Sequence, residues 1–196
     1  MENLGQALHD KQEQASTDPL TGLSNRRHLW EFLQREWIRS RRGESALAVV
    51  MMDLDHFKRI NDQFGHEAGD LVLTEVAALL KAQVRGSDIA CRFGGEEFAL
   101  VLPDATLAAV QRRAEGIRMA IQRLDLKYRG QPLGGLTASF GIALAPNHAA
   151  DPESLLRASD QALYEAKAAG RDRVVVTSAK SVMPVPSKEP SLKRQA

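Results

Sequence analysis

Two carboxylates follow two glycines in the run Arg92-Phe93-Gly94-Gly95-Glu96-Glu97-Phe98. Ile89, Cys91 and Phe93 alternate before the glycines, and Phe98, Leu100 and Leu102 alternate after them. That pattern predicts a β-hairpin whose Gly-Gly turn accommodates positive φ. Adjacent acidic side chains at a tight turn repel each other, and they cost little when solvated or neutralised by a cation. A second acidic pair, in Asp53-Leu54-Asp55, closes the apolar run Ala46 to Met52. Period-two geometry puts both aspartates on one side and leaves the Leu54 carbonyl where pairing stops. If this strand neighbours the hairpin, Asp53 meets Glu96 and Glu97 at a common sheet edge. Clustered carboxylates without a histidine make a hard-oxygen site that suits Mg²⁺ or Mn²⁺ over Zn²⁺ and holds substrate phosphates. Taken singly, the same residues describe a solvated turn and a solvated strand end. Spacing alone does not separate the two readings.

Between the acidic segments lies a stretch suited to a nucleotide. A helix starting near Phe57 would offer free backbone N–H groups to phosphate, and Lys58 adds a positive charge. Asn61 can both donate and accept, whereas Asp70 can accept a pair of N–H bonds such as those on a guanine edge. As isolated residues, Asn61 is equally a helix-surface amide and Asp70 a carboxylate favoured by a helix N-terminus.

These groups need a scaffold, and the chain is long enough for one. Its 196 residues suffice for one domain with a real core, and a net charge of +1 gives no global pull toward nucleic acid or membrane. The longest apolar run falls far short of the ~18 residues that suggest a membrane span, and no N-terminal stretch looks like a secretory signal. The single cysteine, Cys91, excludes an internal disulfide and fits a reducing compartment, so the cytoplasm is the expected location. Its place in an alternating strand makes it a core residue.

Residues 1–16 read as a short helical linker, residues 17–177 as the domain, and residues 178–196 as a disordered, proline-bearing tail. Asn25 is positioned to cap a helix carrying Leu29, Leu33 and Trp37 and ending near Gly43. Further helices are expected over Phe57 to Phe64, through Val72, Val76 and Leu80, from about Leu107 to Leu124, and through Leu155, Leu163 and Ala166. Leu136 to Leu144 reads as a strand in which Gly141 signals a bulge or a close backbone approach, and Arg173 to Thr177 as a final strand. Helices and strands interleave around a central hairpin. The expected fold is therefore α+β, with a mixed or antiparallel β-sheet flanked by helices.

Six segments in order resemble the GGDEF-domain diguanylate cyclases, in the variant whose turn reads Gly-Gly-Glu-Glu-Phe. They begin with Asp18-Pro19-Leu20-Thr21-Gly22-Leu23-Ser24-Asn25-Arg26-Arg27 and Asp53-Leu54-Asp55-His56-Phe57-Lys58. Asn61-Asp62-Gln63-Phe64-Gly65-His66-Glu67-Ala68-Gly69-Asp70 and the acidic turn follow. Ser139-Phe140-Gly141 and Tyr164-Glu165-Ala166-Lys167-Ala168-Ala169-Gly170-Arg171 complete the set. The resemblance implies a fold like that of nucleotidyl cyclases and polymerase palms. It implies condensation of two GTP into cyclic di-GMP and two pyrophosphates, with two Mg²⁺ or Mn²⁺ per substrate-loaded site. Asp53, the Leu54 carbonyl and Glu96 match metal ligands, with Glu97 a contributor, and Asp53 and Glu96 are the catalytic carboxylates. Phe57, Lys58, Asn61, His66, Asp70, Lys167 and Arg171 match substrate-binding positions. Lys167 and Arg171, at i and i+4, are expected on one helix face. One GTP per site makes a homodimer necessary.

Arg85-Gly86-Ser87-Asp88 resembles the family's inhibitory site for its own product, with Arg112 at a supporting position and Gly116 where an arginine often stands. Two rival readings accompany the cyclase. One is a catalytically silent receptor for cyclic di-GMP, in which the acidic turn or the metal aspartate is usually lost. The other is a relaxed cyclase that also takes ATP, in which serine tends to replace Asp70. This chain keeps the acidic turn, Asp53 and Asp70, which favours strict use of GTP.

Overall fold

The computed structural model describes residues 16–43 and 45–178. The expected linker helix before residue 16 and the tail after residue 178 lie outside them. The elements are β1 (Ser24–Asn25), α1 (Arg26–Gly43), β2 (Leu47–Leu54), α2 (Phe57–Phe64), α3 (His66–Gln83), β3 (Ile89–Arg92) and β4 (Glu97–Pro103). They continue with α4 (Leu107–Gln122), β5 (Lys127–Tyr128), β6 (Gln131–Pro132), β7 (Ala138–Ala145), α5 (Pro152–Ala168) and β8 (Val174–Val176).

One mixed sheet runs in the order β1-β3-β4-β2-β7-β8. Its four middle strands are antiparallel and its two edge pairs parallel. All of β2 is buried, because helices cover both faces of the sheet, and a strand so placed reads as a continuous apolar run. Ala48, Val50 and Met52 face the cluster formed with Val72, Val76 and Leu80 of α3 and Val110, Ala114 and Ile117 of α4. Leu47, Val49 and Met51 face the opposite cluster with Leu29 and Leu33 of α1 and Leu155 and Leu163 of α5. Cys91 belongs to this second cluster, and burial pushes its thiol up to about 12.

Local signals fix the helix ends. The Asn25 side chain accepts from the His28 amide at 3.0 Å, and Asp151 and Ser154 form a reciprocal capping box ahead of α5. Gly141 marks a close approach. β7 pairs residue for residue with β2, and a Cβ at Gly141 would lie 2.1 Å from the Ser159 carbonyl and the Leu163 amide of α5. The small β5–β6 hairpin has no counterpart among the expected elements. Its Arg129-Gly130 turn has positive φ at both residues, the geometry that suits a two-residue hairpin.

Candidate active site

The last residue pairs of β2 and β4 bring the carboxylates together. Asp53 pairs with Glu97 on one side and Ser139 on the other, and the Leu54 amide donates to the Glu96 carbonyl at 3.3 Å. Asp53 shares the sheet face of Met51, which α5 covers, and Lys167 of that helix places Nζ 2.8 Å from Asp53 Oδ2. The Asp53 side chain is only 8% exposed. Burial pushes its carboxyl above the ordinary value, and Asp55 adds to this, although Lys167 and Arg171 pull the other way. Glu96 is half-buried. Burial raises its carboxyl too, and the negative charges of Asp53 and Glu97 add to the effect against Lys167.

The turn differs from the expected one. Neither Gly94 nor Gly95 has positive φ. A Cβ at Gly94 would sit 2.5 Å from Glu97 Oε2, so this carboxylate lies back over the turn. The Phe93 and Gly94 amides both donate to the Glu97 carbonyl. Arg92 braces the loop from outside, donating to the Gly95 carbonyl at 2.8 and 3.1 Å and pairing with Asp18 at 3.3 Å. Burial opposes the charge on Asp18, but hydrogen bonds from Thr21 and the Arg92 guanidinium outweigh it and hold the carboxyl below its usual range. Sequence reasoning gave Arg92 no role. Its one signal was a cation at a strand end immediately before the turn.

Asp55 departs from the expected acidic cluster. Its carboxylate accepts from Thr137 Oγ1 at 2.8 Å, Ser139 Oγ at 2.7 Å and the Asp172 amide at 3.0 Å. It is a structural anchor. Lys167 and Arg171 also part company, because α5 ends at Ala168. Arg171 lies beyond it in the left-handed region, with φ of 61°. Its charge still acts on Asp53.

On the other face, α2 begins after His56, whose φ of 57° turns the chain sharply and whose side chain makes no cap. Phe57 and Ile60 are buried under this short helix, while Lys58 is exposed in its first turn. Asn61 packs against Gly69, where a Cβ would come within 2.0 Å of Asn61 Oδ1 and 3.0 Å of the Phe57 ring. Asp70, the next residue of α3, is exposed. Gly69 was missed as a site residue. His66 is exposed at the start of α3.

A divalent cation finds oxygen donors here but no closed cage. Among the described residues no three His, Cys, Asp or Glu side chains converge into a metal cluster, and Glu97 is turned over Gly94. Glu97 nevertheless pairs in register with Asp53, and its charge acts on Glu96. The set of Asp53, Glu96 and the Leu54 backbone fits Mg²⁺, which is commonly held by one or two carboxylates together with substrate phosphates.

Away from this site, Asp88 is already held. Its Oδ2 accepts from the Arg85 amide at 2.9 Å and pairs with Arg113 at 2.5 Å. Arg113 of α4, with Arg85, also lines a cavity walled by Leu102, Thr106 and Val110. Arg112, the expected helper, is exposed on α4.

A mixed sheet thus ends in paired carboxylates at a glycine turn, beside a cationic helix end. The diguanylate cyclase, GGDEF domain family matches residues 15–173, and the chain belongs to that family. It is 46% identical over 169 residues to the diguanylate cyclase DgcP of Pseudomonas aeruginosa, covering 86% of this chain and 25% of that protein. It is 42% identical over 164 residues to the response regulator PleD of Caulobacter vibrioides, covering 83% of this chain and 36% of that protein. The chain therefore spans roughly a quarter to a third of these curated relatives. The coiled coil and GGDEF domain of DgcB from Caulobacter crescentus, solved in complex with c-di-GMP, superposes with a TM-score of 0.85 at 32% identity. That match covers 89% of this chain and 92% of the other. Among the described residues no helix is long and apolar enough to cross a membrane.

Proposed function

We propose that this chain is a diguanylate cyclase that condenses two GTP into cyclic di-GMP and two pyrophosphates. The observation that carries the reading is the Lys167–Asp53 pair beside Glu96, at the end of the strand from which α2 departs. Asn61 and Asp70 read the guanine edge, and Lys58 with the N-terminus of α2, Lys167 and Arg171 hold the triphosphate. His66 and Phe57 border the nucleotide. Asp53, Glu96 and the Leu54 carbonyl, with Glu97 contributing, would hold Mg²⁺ or Mn²⁺, which would neutralise phosphate charge and lower the proton affinity of the attacking hydroxyl.

Glu96 accepts the 3′-hydroxyl proton. Its raised carboxyl brings its basicity closer to working pH than an ordinary glutamate. The 3′-oxygen forms the new bond to the α-phosphorus as the bond to pyrophosphate breaks, and Lys167 meets the charge that develops on the departing group. Each chain carries one Asn61–Asp70 pair, so the second nucleotide is presented by a partner copy and catalysis requires a homodimer. Arg85 and Asp88 bind cyclic di-GMP and inhibit. The domain over residues 17–177 works in the cytoplasm, where GTP is available and the buried Cys91 stays reduced.

Pyrophosphate release measured across a range of protein concentrations tests this reading. Release that rises faster than linearly with protein, at one pyrophosphate per GTP consumed, is the expected result. Strictly linear release would contradict the dimer requirement, and no release would contradict the cyclase.

A further inference from the structure

Arg171 is held from an unexpected direction. Gly170, Arg171 and Asp172 have φ of 111°, 61° and 46°, three successive left-handed residues of which two carry side chains. L-residues rarely adopt this conformation, and it persists only where surrounding contacts over-determine it. The contacts are present on every side. The Arg171 amide donates to the Ala166 carbonyl at 3.0 Å, and the Arg171 carbonyl accepts from Arg173 Nε at 2.9 Å. The Asp172 amide donates to Asp55 at 3.0 Å.

The Asp172 carboxylate is gripped from α4. Arg118 Nη1 donates to Oδ1 at 2.6 Å and Gln122 Nε2 donates to Oδ2. Arg118 is itself pre-aimed. Glu115, one turn earlier, accepts from its Nε and Nη2 and leaves Nη1 for Asp172. Its side chain is only 14% exposed, and Glu115 and Asp172 together raise the guanidinium further above its ordinary value.

We infer that Arg118 is a positioning residue for triphosphate binding. Through Asp172 it fixes the backbone from which Arg171 reaches the phosphates. This rests on the proposed cyclase reading, in which Arg171 touches the triphosphate. Arg118 touches no substrate, and it lies on a helix that supplies no contact to GTP in that reading.

The test uses two probes on the full chain by calorimetry in Mg²⁺. These are 3′-deoxy-GTP, which has no attacking hydroxyl, and GMP, which has no β- or γ-phosphate. Arg118→Ala should weaken 3′-deoxy-GTP by about tenfold, the scale of a charge-assisted hydrogen bond lost from the triphosphate, and leave GMP within about twofold. Arg171→Ala should do the same, and the double variant should be no weaker than Arg171→Ala alone. Asp172→Ala should reproduce the loss and Asp172→Asn restore most of it, which keeps the test valid if Arg118→Ala folds poorly. Equal weakening of both probes, additive losses in the double variant, or unchanged 3′-deoxy-GTP binding would each overturn the inference. Wild-type protein that binds neither probe would overturn the cyclase reading itself. Wild type that binds 3′-deoxy-GTP with Arg171→Ala unaffected would overturn only the placement of Arg171, and this inference with it.

Discussion

Lys167 Nζ lies 2.8 Å from Asp53 Oδ2, joining the last turn of α5 to the end of the central strand. A carboxylate this buried needs a cation, and Lys167 supplies one. Replacing Lys167 by Met should lower turnover by about 10²–10³, the scale of removing one preorganised donor to developing charge. It should also move the acidic limb of the pH–rate profile upward, because Asp53 then loses the group that opposes its burial. A steady-state pH profile of both proteins checks the two effects together.

The raised carboxyls of Asp53 and Glu96 carry a stability signature. Their ordinary values are 3.8 and 4.5, and burial lifts both in the folded chain. The native state then binds more protons than the unfolded one between the ordinary and the raised values. Their contribution to stability is full below the ordinary values and is lost as pH rises through the raised ones. Thermal melting of metal-free Asp53→Asn and wild-type protein should diverge as pH climbs through this window, with the variant gaining. A gap that does not change with pH would contradict the burial of the charge.

Arg92 ties the catalytic turn to Asp18 and the Gly95 carbonyl. Arg92→Ala should lower kcat by about tenfold or more, with a smaller change in KM, because the turn carries Glu96 but no guanine contact. Kinetics at saturating GTP, with melting curves to confirm folding, measure it. Below the ordinary range the Asp18 carboxylate itself protonates, so its share of stability is lost as pH falls through its lowered value.

Asp70→Ala should weaken GTP selectively, lowering kcat/KM by about 10² or more, since a site built to hydrogen-bond a substrate leaves polar groups unpaired without its partner. Competition between GTP and ATP reads the change in preference. Unchanged preference would remove Asp70 from base recognition.

Product inhibition has a selective probe in Arg85. Asp88 is held by the Arg85 backbone amide and by Arg113, so Arg85→Ala removes a guanidinium and leaves that hydrogen bond in place. Inhibition by added cyclic di-GMP should fall while the initial rate stays unchanged. Inhibition as strong as in wild type would refute the site.

The sequence exposed what depends on local pattern. The strand Leu47–Leu54, the helix Phe57–Phe64 and the Gly141 close approach were all legible from apolar runs and glycine placement. What it hid depends on side-chain direction over long separations. Asp55 shares the parity of Asp53 yet turns to Thr137, Ser139 and Asp172, residues more than eighty positions away in the chain. Arg171 keeps helical spacing from Lys167, but Gly170 breaks the helix between them. Gly94 reads as a turn glycine, yet its φ is not positive and the Glu97 carboxylate lies against it. In each case a residue type was visible and its partner was not.

The most direct test of the cyclase is product identity. Purified protein at high concentration is incubated with GTP and Mg²⁺, and the nucleotides are resolved by mass spectrometry beside Glu96→Gln, whose lost base should cost about 10²–10⁴ in rate. The account predicts cyclic di-GMP and pyrophosphate from wild type and a trace at most from the variant. No cyclic di-GMP from wild type at any concentration, or equal amounts from both proteins, would contradict it.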